Sequence, residues 1–194
     1  MAVIETQIDA HSASFKRNAD VMGAAVREFR EIEQRVIATA AAKEPRYRER
    51  GFIPPRERLS TLLDAGSPFL EMATLCGYMQ EEDADGSGAG GSCITGIGYI
   101  AGVRCMVLVD DYLTKGGTIT PLGSTKRQRM LGIAKENKLP VLTLAQSGGG
   151  NLKLLGDFFG PSGSGFAIQA RLSAAGIPQI TVVHGSATAG GAYQ

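Results

Sequence analysis

The chain has 194 residues, 43% apolar and 20% charged, with a formal net charge of +1. That length supports one domain with a real core, with room for a small second lobe. The near-neutral balance excludes charge-driven binding to nucleic acid or an anionic membrane, and no window reaches the roughly 18 apolar residues of a membrane helix.

The N-terminus lacks a long apolar segment of the kind a secretory signal needs. Cys76, Cys93 and Cys105 form no CxxC pair, and His11 and His184 lie far from them in sequence. A reduced, cytoplasmic protein without disulfide or zinc is expected. The 26 glycines follow no collagen period and point to tight turns and close backbone approaches.

Residues 1–17 read as loose. Residues 18–43 read as an amphipathic helix with Val21, Ala25, Phe29, Ile32 and Val36 on one face, capped at Asn18 or Asp20. Glu31 and Arg35 are spaced to pair on its polar side. Residues 44–58 are rich in arginine and proline, so a solvated surface segment is expected. An arginine-lined contact with phosphate or a partner carboxylate is the sharper reading. A short helix follows from Arg56 to Leu63 and stops at Asp64-Ala65-Gly66-Ser67-Pro68.

Residues 69–78 read as a strand. The acidic, then glycine-rich stretch 80–91 reads as a mobile loop without calcium-loop spacing. Residues 93–100 and 104–109 form a predicted hairpin across Ala101-Gly102. Asp110 and Asp111 end it on opposite faces, so they are not expected to share a site. A helix over 125–138 with Ser124 as cap, a strand over 139–145, a helix over 164–175 and a strand over 179–183 complete the order. From residue 92 onward this is a layered α/β pattern.

Three glycine turns follow strand ends, where open α/β sheets place ligands: Lys115-Gly116-Gly117, Ser147-Gly148-Gly149-Gly150 and Ala189-Gly190-Gly191. None is a phosphate-binding G-x-x-x-x-G-K-[ST], and Gly86 to Gly91 precedes a strand instead of opening a helix. Ser147 and Ser186 lie outside any G-x-S-x-G, and His184 reads as a strand-end residue. Cys93 and Cys105 read as small core hydrophobes. The chemistry left over is oxyanion stabilisation by backbone amides, which needs glycine and little else.

These turns also carry a resemblance. Arg56-Glu57-Arg58-Leu59, Leu62 to Glu71, Gly91 with Ile94 to Gly98, Lys115-Gly116-Gly117-Thr118, Asn137-Lys138-Leu139-Pro140, Gln146 to Leu152 and Gly185 to Tyr193 occur in order along almost the whole chain. The chain resembles the carboxyltransferase (beta) subunit of biotin-dependent acyl-CoA carboxylases, and most of all the methylcrotonyl-CoA and geranyl-CoA branch. The resemblance implies a crotonase-like α/β fold of ββα units. It implies transfer of a carboxyl group from carboxybiotin to an enoyl or branched acyl-CoA.

In that family Gly190 and Gly191 would supply the backbone donors. Gly116, Gly117, Ser147, Gly148, Gly149, Gly150 and Ala189 would line the acyl-CoA site. Biotin would be carried on a partner, the biotin carboxylase or biotin carboxyl carrier subunit, with further copies of the beta subunit completing an oligomer. The compartment implied is the cytoplasm, or the mitochondrial matrix in a eukaryote.

Two departures stand out. Lys153-Leu154-Leu155-Gly156 replaces the Pro-Arg-Gln run of methylcrotonyl-CoA enzymes, which leaves the acyl-CoA open. The sequence also stops inside the first of the family's two domains. Residues 1–58 are expected as helix and charged linker, and 59–194 as an incomplete N-terminal carboxyltransferase domain. The alternatives are a non-catalytic crotonase-like interaction module and, less well matched, a hydratase, since no acidic residue follows the Gly190-Gly191 turn.

Overall fold

The protein is described by a computed structural model covering residues 5–80, 83–86, 88–151, 154 and 164–193. It divides into two compact units between Arg35 and Val36. Helix α1 (Ala13–Ala41) starts before residue 18 because Ser12 caps it, its Oγ accepting from the Phe15 N–H at 3.2 Å. Asn18 and Asp20 are therefore interior positions. The expected apolar face is not buried: Val21 and Phe29 are exposed, whereas Glu33 is buried and takes an ion pair from Arg30 at 2.7 Å.

The arginine-rich stretch is largely helical, not a plain solvated segment. Pro45 sits in the first turn of α2 (Glu44–Glu49) and Pro55 opens α3 (Pro55–Leu62). Proline removes no internal bond at such positions. Tyr47, in the middle of the charged run, is only 4% exposed. The strand expected over 69–78 is reduced to β1 (Leu70–Glu71). Beyond it the chain turns, with Ala73, Gly77 and Met79 at positive φ. Residues 81, 82 and 87 of the acidic loop lie outside the described residues.

The hairpin forms as expected from β2 (Cys93–Ile100) and β3 (Val103–Asp110). Ala101 and Gly102 carry φ of 51° and 76°, the left-handed pair that a two-residue hairpin turn requires. The Asp64 carboxylate accepts both of their N–H groups at 2.7 Å, which ties the end of α3 to the turn. Next come β4 (Thr118–Ile119), α4 (Pro121–Asn137), β5 (Val141–Ser147), β6 (Gly149–Gly150), α5 (Ser164–Ala174) and β7 (Gln179–Ala187). Thr120, not Ser124, caps α4, accepting from the Gly123 N–H at 3.1 Å.

The main sheet has the order β1-β2-β3-β5-β7. β1, β2 and β3 are antiparallel neighbours, whereas β3, β5 and β7 run parallel. β4 and β6 form a separate parallel pair. β3, in the middle of the sheet, is covered on both faces, as its alternation shows, whereas Ile180, Val182 and Val183 of the edge strand β7 are exposed. Met106 and Leu108 pack with Met130, Leu131 and Ala134 of α4 and Leu172 of α5. Cys105, Val107 and Val109 pack with Leu59 of α3. A strand buried on both faces reads as a continuous apolar run, as residues 105–109 do. Cys93 and Cys105 are core residues, as expected. No described helix is long and apolar enough to cross a membrane.

His184 lies inside β7, half-buried, with its Nε2 3.0 Å from the Arg58 guanidinium. Arginine only donates, so Nε2 accepts and the imidazole is neutral. Burial first, and the Arg58 cation second, hold its pKa below the usual histidine value.

Two tests follow from this packing. Met106 is fully buried, so Met106→Ala should lower unfolding free energy by about 2–5 kcal/mol in a denaturant titration. A loss below about 1 kcal/mol would mean that the site collapses without a cavity. For His184, the unfolded chain takes up a proton as pH falls through about 6.5, while the folded chain does so only at lower pH. The stability tied to the neutral imidazole is thus present above pH 6.5 and lost below it. Urea midpoints at pH 7.5 and 5.5 should fall more for the wild type than for His184→Gln. Equal falls would contradict the assignment.

Candidate glycine-lined site

Each of the three parallel strands ends in a glycine turn. After β3 comes the short 3-10 turn Lys115–Gly117. β5 ends at Ser147 and leads through Gly148 into Gly149–Gly150, which is β6. β7 leads into a second 3-10 turn, Ala189–Ala192. Neighbouring parallel strands bring their carboxyl ends to one edge, so the three turns meet.

Ser147 is where they meet. It is fully buried. Its Oγ donates to the Gly117 carbonyl at 3.2 Å and accepts from the Gly149 N–H at 3.0 Å. Its carbonyl accepts from the Thr188 N–H at 3.1 Å, and the Gly148 N–H reaches the Gly117 carbonyl at 3.2 Å. A serine hydroxyl committed in this way is a structural clasp, not a free nucleophile.

The approach is close enough to exclude side chains. A Cβ on Gly117 would stand 2.8 Å from the Gln146 carbonyl oxygen, and one on Gly148 would stand 2.8 Å from that of Gly116. Backbone cannot yield to such contacts, so these positions require glycine. Across the other seam, Gly149 faces Thr188, and a Cβ on Gly191 would come within 3.1 Å of the Ser147 Cβ. Gly150 pairs with Ile119 in the small sheet. Gly190 differs: among the described residues a Cβ there would meet only the Phe166 ring, at 3.7 Å. Its backbone is exposed. The Gly191 N–H bonds the Thr188 carbonyl at 3.0 Å. Gly190 sits one residue earlier, in the first turn, where a helix offers its N–H groups no internal acceptor.

Beneath the turns lies a buried polar chain absent from the sequence reading. Asp110, 1% exposed, pairs with the Arg127 guanidinium and accepts the Gln146 N–H at 2.9 Å. The Gln146 side-chain carbonyl accepts a short hydrogen bond from the Tyr47 hydroxyl. Tyr47 stacks on Phe52 with ring centroids 5.1 Å apart. Asp111 turns to its own loop, binding the Leu113 N–H and the Thr114 hydroxyl, so the two aspartates keep apart as expected. One signal for Tyr47 was in the sequence: a large aromatic among arginines has few reasons to be solvated.

Other reactive groups nearby are accounted for. Burial pushes the Cys93 thiol up. Burial also pushes the Lys126 ammonium down, and that ammonium donates to the Gly90 and Cys93 carbonyls at 2.9 and 2.6 Å. Leu152 and most of 153–156, where the substrate-branch departure falls, lie outside the described residues.

The carboxyl transferase domain family matches residues 46–194. A probable mitochondrial methylcrotonoyl-CoA carboxylase beta chain of Drosophila melanogaster is 41% identical over 98% of this chain, and the mitochondrial methylcrotonoyl-CoA carboxylase beta chain of Dictyostelium discoideum is equally similar. The chain spans about a third of the length of each, 33% in both. Among solved structures, the beta subunit of geranyl-CoA carboxylase from P. aeruginosa is 52% identical, with a TM-score of 0.86 over 100% of this chain and 36% of its own. The transcarboxylase 12S hexamer, solved with methylmalonyl-coenzyme A bound, is 26% identical with a TM-score of 0.73 over 89% of this chain and 34% of its own. The α/β fold is therefore crotonase-like, as the resemblance implied, and the chain belongs to the carboxyl transferase domain family.

Proposed function

We propose that this chain forms the acyl-CoA-facing part of the carboxyltransferase (beta) subunit of a biotin-dependent acyl-CoA carboxylase. The observation that carries the reading is the convergence of three glycine turns on Ser147 at the ends of β3, β5 and β7. Within it the Gly117, Gly148, Gly149 and Gly191 N–H groups are taken up by internal acceptors, so the donor the site can offer is the Gly190 N–H in the first turn of Ala189–Ala192. It suits an acyl thioester whose carbonyl oxygen becomes negative when the adjacent carbon turns nucleophilic.

In this reading the Gly190-Gly191 turn holds the oxyanion through the Gly190 N–H, while the Gly191 N–H, bonded to the Thr188 carbonyl, fixes the turn. Gly116, Gly117, Ser147, Gly148, Gly149, Gly150 and Ala189 line the acyl-CoA. The exposed backbone at Gly190 fits that role, since among the described residues nothing but the Phe166 ring stands near it. Carboxybiotin would supply the carboxyl group: the C–N bond to the biotin ring would break, the ring nitrogen would take the proton lost from the acyl-CoA carbon, and a C–C bond would form at that carbon. Biotin is carried on a partner subunit, and no described residue is assigned to it. Residues 59–194 belong to the CoA-binding domain, preceded by the helix and charged linker of 1–58.

The substrate class follows the relatives. Identity reaches 52% with a geranyl-CoA carboxylase subunit and 41% with methylcrotonoyl-CoA carboxylase chains, against 30% with propionyl-CoA carboxylase chains. A branched enoyl-CoA is the proposed acceptor. The proposed assembly contains a biotin carboxylase or carrier subunit and further copies of the beta subunit. The proposed location is the cytoplasm, or the mitochondrial matrix in a eukaryote.

Gly190→Val tests the site. Valine keeps the main-chain N–H, but its side chain would crowd the space the thioester oxygen must enter and should cut carboxyl transfer by about 10²-fold or more. Biotin carboxylation by the partner should be unchanged. Because a Cβ at Gly190 meets no atom of the described residues closer than 3.7 Å, the melting temperature should hold. Transfer at the wild-type rate would remove Gly190 from the mechanism. A panel of geranyl-, methylcrotonyl- and propionyl-CoA should show the lowest kcat/KM for propionyl-CoA, and the reverse order would overturn the substrate class.

A further inference from the structure

We infer that Gln146 is a positioning residue that sets where the Ala189–Ala192 turn stands, and that Tyr47 locks it in place. This inference rests on the proposed role of that turn. Its basis is an irregularity in the β5–β7 ladder. Ala145 pairs with Val183, but Ser147 pairs with Ala187. Two steps along β5 thus match four along β7, so the three residues His184-Gly185-Ser186 lie opposite Gln146 alone. Bulges of this kind re-aim the chain beyond them and are frequent beside functional sites.

Gln146 fills the widened gap. It is 1% exposed. A Cβ on Gly185 would lie 2.7 Å from its side-chain Cδ, so the amide lies directly against the bulged backbone. Three further contacts fix it. Its N–H donates to Asp110 at 2.9 Å. Its side-chain carbonyl accepts from Tyr47. Its main-chain oxygen abuts Gly117. The residue after it, Ser147, takes the Thr188 N–H, and Thr188 in turn holds the Gly191 N–H. An unbroken sequence of contacts therefore runs from the Tyr47 hydroxyl to the glycines proposed to hold the oxyanion.

Tyr47→Phe, Gln146→Met and the double variant decide the matter in the complete protein with its biotin-bearing partner. Hydrogen exchange should quicken by about tenfold or more at 146–150 and 188–191 in each single variant, while the β3 amides keep wild-type protection. Turnover should fall about tenfold or more, with KM for the acyl-CoA within about twofold, because misplaced donors are felt in the transition state. In the double variant both polar partners are gone, so no buried acceptor is left unsatisfied and melting should recover. Turnover should not recover.

A merely structural role predicts the opposite: turnover restored together with melting, and exchange quickened evenly or not at all. Either result overturns the inference. If the wild type itself transfers no carboxyl group, the functional reading fails, and the exchange pattern alone still upholds or overturns the positioning role. Should Tyr47→Phe fail to fold, Gln146→Met reads the same amides from the other side of the bond.

Discussion

Asp110 is the residue on which the site depends. A carboxylate at 1% exposure is untenable without compensation. It is compensated by the Arg127 guanidinium on one oxygen and the Gln146 N–H on the other. The pair need add nothing to net stability, because desolvation of two charges offsets their attraction. What it supplies is placement. Arg127 rises from α4, Asp110 ends β3 and Gln146 ends β5, so one buried charge sets the relative position of the three elements. Removing either partner would strand the other, which gives the arrangement little freedom to relax.

From that anchor the chemistry moves outward through backbone. Ser147 gathers the turns, and glycine is required where carbonyls approach within 2.8 Å of a would-be Cβ. A site made of main-chain N–H groups has a physical advantage for a reaction that develops charge on a thioester oxygen. Its dipoles are oriented before substrate arrives, and it carries no ion to be desolvated. The buried polar chain beneath does for this site what a rigid scaffold does for side-chain catalysts.

Much of this was legible in the sequence. The hairpin was announced by two apolar runs about Ala101-Gly102, and the parallel strands by apolar segments ending in glycine. Those signals are local, and they are clearest in β3, which is buried on both faces. Three elements were misread for physical reasons. Pro45 looked like a breaker, but at a first turn it is tolerated. Residues 69–78 had strand composition, yet positive φ at Ala73 and Met79 turns the chain away. Helix α1 took its cap from Ser12 rather than from a residue nearer its apolar stripe. The Tyr47–Gln146–Asp110–Arg127 chain was invisible because its members are spread across four elements, and nothing in spacing links residue 47 to residue 146. The glycine motifs marked the rim of the site but not the clasp beneath it.

The most direct measurement is a structure of the complete protein with a non-hydrolysable acyl-CoA. The thioester oxygen should lie about 2.7–3.2 Å from a backbone N–H in the Ala189–Ala192 turn, with the acyl chain against Gly116-Gly117 and Ser147 to Gly150. An acyl-CoA seated with its thioester elsewhere, for instance in the apolar groove of Leu70, Ile97, Tyr99 and Leu139, would contradict the account.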